Sequence, residues 1–205
     1  MKTQTKETQG NLTPKEAHNI LVAGNKRFSQ NLKMQRNLQD QVFETSKGQF
    51  PFAVILSCID SRVPAELVFD QGIGDIFSVR VAGNIINEDV LGSMEYSCKV
   101  AGSKIVVVMG HTKCGAVTAA CSDVELGNIT ALLNKIKPAV DLIRVNGNEM
   151  SDNSIEKVSV QNVKLSIERI RKKSSILAEM ESNGEIEIVG AIYSVASGEV
   201  DFFKS

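Results

Sequence analysis

The chain has 205 residues, 42% of them hydrophobic and 23% charged, an ordinary globular composition with enough length to bury one sizeable core. Its 23 Lys and Arg stand against 24 Asp and Glu, a formal net charge of −1, so no overall field recommends nucleic acid or another polyanion as a partner. The longest apolar runs, Phe52 to Leu56 and Ile105 to Met109, fall far short of the roughly 20 residues that cross a bilayer, and no membrane partner is expected.

The first ten residues are polar and lack the apolar core of a secretory signal, so a cytoplasmic location is expected. Next, Thr13-Pro14-Lys15-Glu16 places a capping hydroxyl, a proline suited to the first helical position and a glutamate three residues after the cap. A helix begins there, with Ala17, Ile20, Leu21 and Phe28 on its apolar side, although Gly24 and Asn25 weaken it. The polar stretch Asn31 to Gln49 reads as a connector with a short helix near Gln39 to Thr45.

Three runs have the character of buried strands: Phe52 to Ser57, Asp75 to Val79 and Lys104 to Met109. Helical spacing over Glu88 to Ala101 separates the last two, which is the rhythm of a parallel sheet. Further helices are predicted after Val63-Pro64, after Cys114, over Ile129 to Val145, and over Ser154 to Glu181 with a break at Ser174-Ser175. Asn146 to Asn153 reads as a surface loop. A final strand, Glu185 to Tyr193, turns at Ser197-Gly198 into Val200 to Phe203. The fold class is therefore α/β: a single domain with a mainly parallel central β-sheet flanked by helices, preceded by an N-terminal helical arm.

Four cysteines, at 58, 98, 114 and 121, are too few for a disulfide framework and read instead as thiols or metal ligands. In an open parallel sheet, sites form outside the carboxyl ends of the strands. The first strand runs into Cys58-Ile59-Asp60-Ser61-Arg62, where alternation lets Cys58 and Asp60 point the same way. The third runs into Gly110-His111-Thr112-Lys113-Cys114, where a turn can bring His111 and Cys114 together. Each half alone reads more simply as a buried core thiol. Together, two thiolates and an imidazole are a donor set zinc prefers, with a fourth tetrahedral position left over. Asp60 is the nearest group to fill it, yet Arg62 can hold that carboxylate through two charge-assisted hydrogen bonds instead.

These residues resemble the beta-class carbonic anhydrases. The resemblance rests on Cys58-Ile-Asp-Ser-Arg-Val-Pro-Ala-Glu66, Val79-Arg-Val-Ala-Gly-Asn84, Gly110-His-Thr-Lys-Cys-Gly115, Gly190-Ala-Ile-Tyr193 and Gly198-Glu-Val200, in family order from about Gln49 onward. It implies reversible hydration of carbon dioxide to bicarbonate and a proton by zinc-bound hydroxide. It also implies Cys58, His111 and Cys114 as zinc ligands, and Asp60 with Arg62 as a catalytic dyad beside the metal. In the family the Asp60 position can bind zinc in a closed form. Gln49 and Phe77 match substrate-binding positions of plant-like members. Ile55 stands where members with an inhibitory bicarbonate pocket carry Trp, and the chain has no Trp, so that pocket is not expected. Arg80 and Asn84 belong to the supporting structure, and Tyr193 to the region near a subunit boundary. His18 reads as a solvated surface residue, and Arg169, Arg171, Lys172 and Lys173 as a solvated helix face.

The resulting division is an arm and connector over 1–48 and a zinc-binding domain over 49–205, the arm fitting one that such subunits lay over a neighbour. A homodimer or higher homo-oligomer follows as an expectation. A non-catalytic closed-site zinc protein and a carbon disulfide hydrolase of the same fold remain as alternatives.

Overall fold

The computed structural model describes residues 3–144 and 150–204. Five strands form one sheet: β1 (Ala53–Ser57), β2 (Ile76–Arg80), β3 (Ile105–His111), β4 (Glu187–Tyr193) and β5 (Val200–Phe203). Their order is β2-β1-β3-β4-β5, with the first four parallel and only β5 antiparallel, to β4. Burial on both faces makes β1 and β3 wholly apolar but for Ser57 and His111, each at a carboxyl end.

One face carries α2 (Pro14–Ser29) and α4 (Ala65–Val68), whose Leu21, Val68 and neighbouring Phe69 pack on Phe52, Ile55 and Val107. The other carries α5 (Glu88–Glu95), continued by a π-helical turn over Tyr96–Val100, with α9 (Asp152–Lys173) and α10 (Ser175–Ser182). A third cluster lies at the carboxyl ends of the strands, where α6 (Gly115–Cys121), α7 (Gly127–Leu133) and α8 (Lys137–Ile143) gather around Cys58 and Cys114.

The expected cap of α2 forms reciprocally. Thr13 Oγ1 accepts from the Glu16 N–H at 3.3 Å, and the Glu16 carboxylate accepts from the Thr13 N–H at 2.8 Å. The two residues that weaken this helix in isolation are the ones that dock it. A Cβ on Gly24 would stand 1.8 Å from the Phe69 carbonyl oxygen, so only glycine allows this approach. Asn25 is buried and donates to the carbonyls of Val68 and Gly198 while accepting from the Val200 N–H.

Several boundaries differ from the sequence reading. A short helix α1 (Lys6–Asn11) forms in the polar lead, capped by Thr5, and the buried side chain of Gln9 donates to the carbonyls of Pro51 and Ala101. The connector's helix is α3 (Leu38–Thr45). The span Ile129 to Ile143 divides into α7 and α8 because Pro138 suits a helix start rather than an interior. Val145 and 146–149 of the expected loop lie outside the described residues, while Asp152 and Asn153 already belong to α9. His111 closes β3 rather than opening the turn. The break between α9 and α10 falls at Ser174, whose hydroxyl accepts from the Leu177 N–H.

Candidate metal centre

β1 and β3 are adjacent and parallel, in register from Ala53 with Ile105 to Leu56 with Val108, so the loops leaving their carboxyl ends meet. Cys58 follows β1, His111 ends β3, and Cys114 is the residue from which α6 starts. The return to Cys114 passes through Lys113 at φ 54°, a left-handed conformation that a non-glycine residue adopts only when its surroundings hold it. Here they do: the Lys113 N–H donates to Glu156 Oε1 on α9 at 2.8 Å, and its carbonyl accepts from Arg62 Nη2 at 3.3 Å.

The two sulfurs and the His111 ring nitrogen lie within 4.8 Å of one another. All three residues are buried, His111 completely. Its Nδ1–H donates to the Thr112 carbonyl at 2.9 Å, which leaves a lone pair on Nε2. That atom is buried with no partner among the described residues. A buried imidazole nitrogen facing two sulfurs, its tautomer set by the other nitrogen, is the arrangement a metal ion satisfies.

The electrostatics agree. Cys58 is lowered to about 4, first by its hydrogen bond with Cys114 and further by His111 and the Gly83 N–H, against the cost of burial. Cys114 moves upward, because its thiol supplies that hydrogen bond and is itself buried. Without a cation the pair thus holds one proton between two sulfurs; a dication is what allows both to ionise. His111 is raised: burial opposes its charge, but the Cys58 thiolate outweighs that. Cys98, by contrast, is pushed up to about 12 by burial alone, and Cys121 is raised first by burial. Both are inert core thiols rather than ligands.

Asp60 stands beside the cluster and outside it. Arg62 donates to it three times, from the backbone N–H and Nε to Oδ1, each at 2.9 Å, and from Nη2 to Oδ2 at 2.7 Å. That fork holds the carboxyl well below the usual carboxylate range, with Oδ2 4.0 Å from His111 Nε2. Arg80 braces the loop beneath, donating to the carbonyls of Cys58 at 3.1 Å and Asp60 at 2.7 Å. The expected supporting role of Arg80 takes the form of these two bonds to backbone carbonyls. The Gly83 N–H donates to Cys58 Sγ at 3.3 Å, and Asn162 on α9 donates to the Gly83 carbonyl at 2.8 Å.

Sequence reading had no signal for Glu156 or Asn162, which reach the loops across 43 and 79 residues of chain. Tyr193, the register partner of His111, is buried, and burial raises its hydroxyl. Gln49 and Phe77 are not brought to the cluster within one chain. Gln49 is exposed and precedes β1, at the opposite end of the strand from Cys58. Phe77 pairs with Val54 in the first half of β1 and packs against Tyr96 at the open edge of the sheet. His18 is not a solvated residue: its Nδ1 lies 3.4 Å from Glu187 Oε2, and its ring packs 4.8 Å from that of Phe202. In the basic run, Arg171 makes a forked pair with Glu181 at 2.8 Å per bond.

A parallel α/β sheet with a Cys-His-Cys cluster at its strand ends defines a metalloprotein of the open-sheet class. Residues 53–200 match the family model described as carbonic anhydrase. The carbonic anhydrase of Mycolicibacterium smegmatis is 34% identical, covering 93% of this chain and 94% of its own. Among solved structures, the β-carbonic anhydrase CafA of Aspergillus fumigatus superposes with a TM-score of 0.73 at 27% identity, over 91% of this chain and 90% of that one. One of two tetrameric β-carbonic anhydrases from Sordaria macrospora shares the fold, with a TM-score of 0.73 at 21% identity over 92% and 94% of the two chains. The chain belongs to the β-carbonic anhydrase family, and its activity is that of a carbonate dehydratase, a lyase. No helix among the described residues is long and apolar enough to cross a membrane.

Proposed function

We propose that Cys58, His111 and Cys114 hold a zinc ion and that Asp60, held by Arg62, is the catalytic carboxylate of carbon dioxide hydration. The observation that carries this reading is the three-atom cluster within 4.8 Å with Asp60 turned to Arg62 beside it. Sulfur and imidazole donors suit zinc, and three protein ligands leave a fourth position open for chemistry. Zinc, when bound, lowers the pKa of a coordinated water and so supplies hydroxide near neutral pH.

The protein's own residues do the rest. Arg62 takes up lone pairs on both oxygens of Asp60 and prevents the carboxylate from swinging into the cluster. Asp60 remains ionised, so Oδ2 is an acceptor only; it takes a hydrogen bond from the attacking oxygen and turns that oxygen's lone pair toward carbon. Arg80 and the Lys113–Glu156 contact keep the two loops at this separation before substrate arrives. His111 is committed through both nitrogens, and His18, the chain's other histidine, sits beside Glu187 at the amino end of β4. Neither histidine is therefore free to carry the product proton. The held carboxylate argues against the closed, non-catalytic alternative, and full-length likeness to carbonic anhydrases argues against the carbon disulfide alternative.

Gln49 and Phe77 serve the substrate only if a second subunit presents them, since their own chain keeps them away from its cluster. On this reading the site is completed by a homo-oligomer, and a tetrameric protein shares the fold. Stopped-flow hydration by zinc-loaded protein from about pH 6.5 to about pH 9 tests the proposal over the range where such a site titrates. Activity throughout that range is expected; none at any pH would overturn it.

A further inference from the structure

We infer that Asn162 is a positioning residue of the metal centre, acting through Gly83 to keep a backbone N–H aimed at the sulfur of Cys58. The inference rests on the assignment of Cys58 as a metal ligand. Asn162 lies in the middle of α9, 3% exposed, far from any solvent that could replace its contacts. Its Nδ2 donates to the Gly83 carbonyl at 2.8 Å, and the N–H of the same glycine donates to Cys58 Sγ at 3.3 Å.

Gly83 is the pivot of a 3₁₀ turn over Ala82–Asn84, at φ 66° and ψ 18°. A Cβ there would come within 2.5 Å of Ile136 Cδ1, so the position is left to the residue with the softest backbone. A soft pivot keeps an N–H on target only if its flanks are held. On one side the Val81 N–H donates to the Ser57 carbonyl and the Asn84 N–H to the Val81 carbonyl, tying the turn to the end of β1. On the other side the hold is Asn162.

The consequence is electronic. Two thiolates neutralise a dication and weaken its pull on a bound ligand. A hydrogen bond to sulfur withdraws density from the thiolate and restores part of that pull. Asn162 thereby makes α9 part of the metal site without touching the metal, and Gly83 carries the effect over 25 residues of sequence to Cys58.

The test uses the full chain loaded with Co²⁺, whose thiolate-to-metal charge-transfer band reports the energy of the sulfur lone pairs. In Asn162→Leu, close in size but without a donor, the band is expected to move to longer wavelength. Zinc affinity by chelator competition should fall about tenfold, as for other outer contacts to metal ligands. Ile167→Ala, buried on the same helix away from the loops, should lower the melting temperature and leave the band in place, which separates positioning from helix stability. A folded Asn162→Leu protein with an unshifted band and unchanged zinc affinity would overturn the inference. Should the leucine variant not fold, Asn162→Ala is read by the same two measurements. Cys58→Ser keeps the two failures apart: a charge-transfer intensity unchanged in that variant would sink the ligand assignment itself, whereas a reduced intensity there with no shift in the Asn162 variants would sink only the role of Asn162.

Discussion

Asp60 and Arg62, two residues apart, form a closed fork in which both carboxylate oxygens are taken by one guanidinium, at 2.9 and 2.7 Å. The pair is partly exposed, with Arg62 half open to solvent, so its worth lies in orientation rather than in stability. Replacing Asp60 with Asn keeps the shape but exchanges one acceptor oxygen for an amide donor. Zinc content should be unchanged while kcat falls about tenfold to a hundredfold; full activity would refute the assigned role. Arg62→Ala should instead let Asp60 approach the metal, read as loss of an exchangeable position in the Co²⁺ spectrum.

Cys58 is a ligand in the proposed site, and neither remaining cysteine can replace it: Cys98 and Cys121 are buried in helices with raised thiols. Cys58→Ser should therefore lose zinc and activity together, checked by metal analysis of the purified variant beside its hydration rate.

Mixing two inactive variants tests whether Gln49 acts across a subunit boundary. Gln49→Ala retains its cluster and Cys58→Ser retains its glutamine, so a mixed dimer rebuilds one intact site. Random 1:1 re-association should recover about a quarter of the wild-type sites, as expected for statistical pairing in a two-fold dimer. No gain over the sum of the separate variants would place Gln49 outside the reaction.

Asp70 ties α2 and the connector to the loop after α4. It is 3% exposed and accepts from Arg27 Nε, Arg36 Nη1 and the Met34 N–H. Burial disfavours its charge, but the two arginines outweigh burial and its pKa is lowered. A lowered folded-state pKa means the stabilisation is present at neutral pH and fades as pH falls through the ordinary carboxylate range toward the folded value. Asp70→Asn should cost about 3 kcal/mol at pH 7. Urea unfolding of wild type and variant should keep its gap down to about pH 4, the ordinary aspartate range, and converge only as the pH falls below that toward the lowered folded value; a pH-independent gap would contradict the assignment.

Gly24→Ala replaces a poor helix former with the best one, a change worth about 1 kcal/mol in favour of an exposed helix. Here the added methyl meets the Phe69 carbonyl, and the net effect should be destabilising by about 2 kcal/mol, visible as a lower thermal midpoint.

The strands, the α2 cap and the α9–α10 break were legible because each depends on residues within a turn or two of one another: apolar runs, Thr13 with Glu16, Ser174 with Leu177. α1 was missed because its apolar content is negligible and a buried Gln9 anchors it through carbonyls far along the chain. His18 was misjudged for the same reason, its partners Glu187 and Phe202 being distant in sequence.

By itself the sequence determined the kinds of donor at each strand end and the Asp60–Arg62 pair, since two residues cannot stray far from each other. Tertiary structure alone decided that the two strand ends are neighbours, that His111 turns Nε2 rather than Nδ1 toward the sulfurs, and that Glu156 and Asn162 on α9 hydrogen-bond the backbone of the loops around the Cys-His-Cys cluster. Sheet order is set by the packing of whole apolar faces, and the buried polar contacts follow from which backbone groups that packing leaves unpaired.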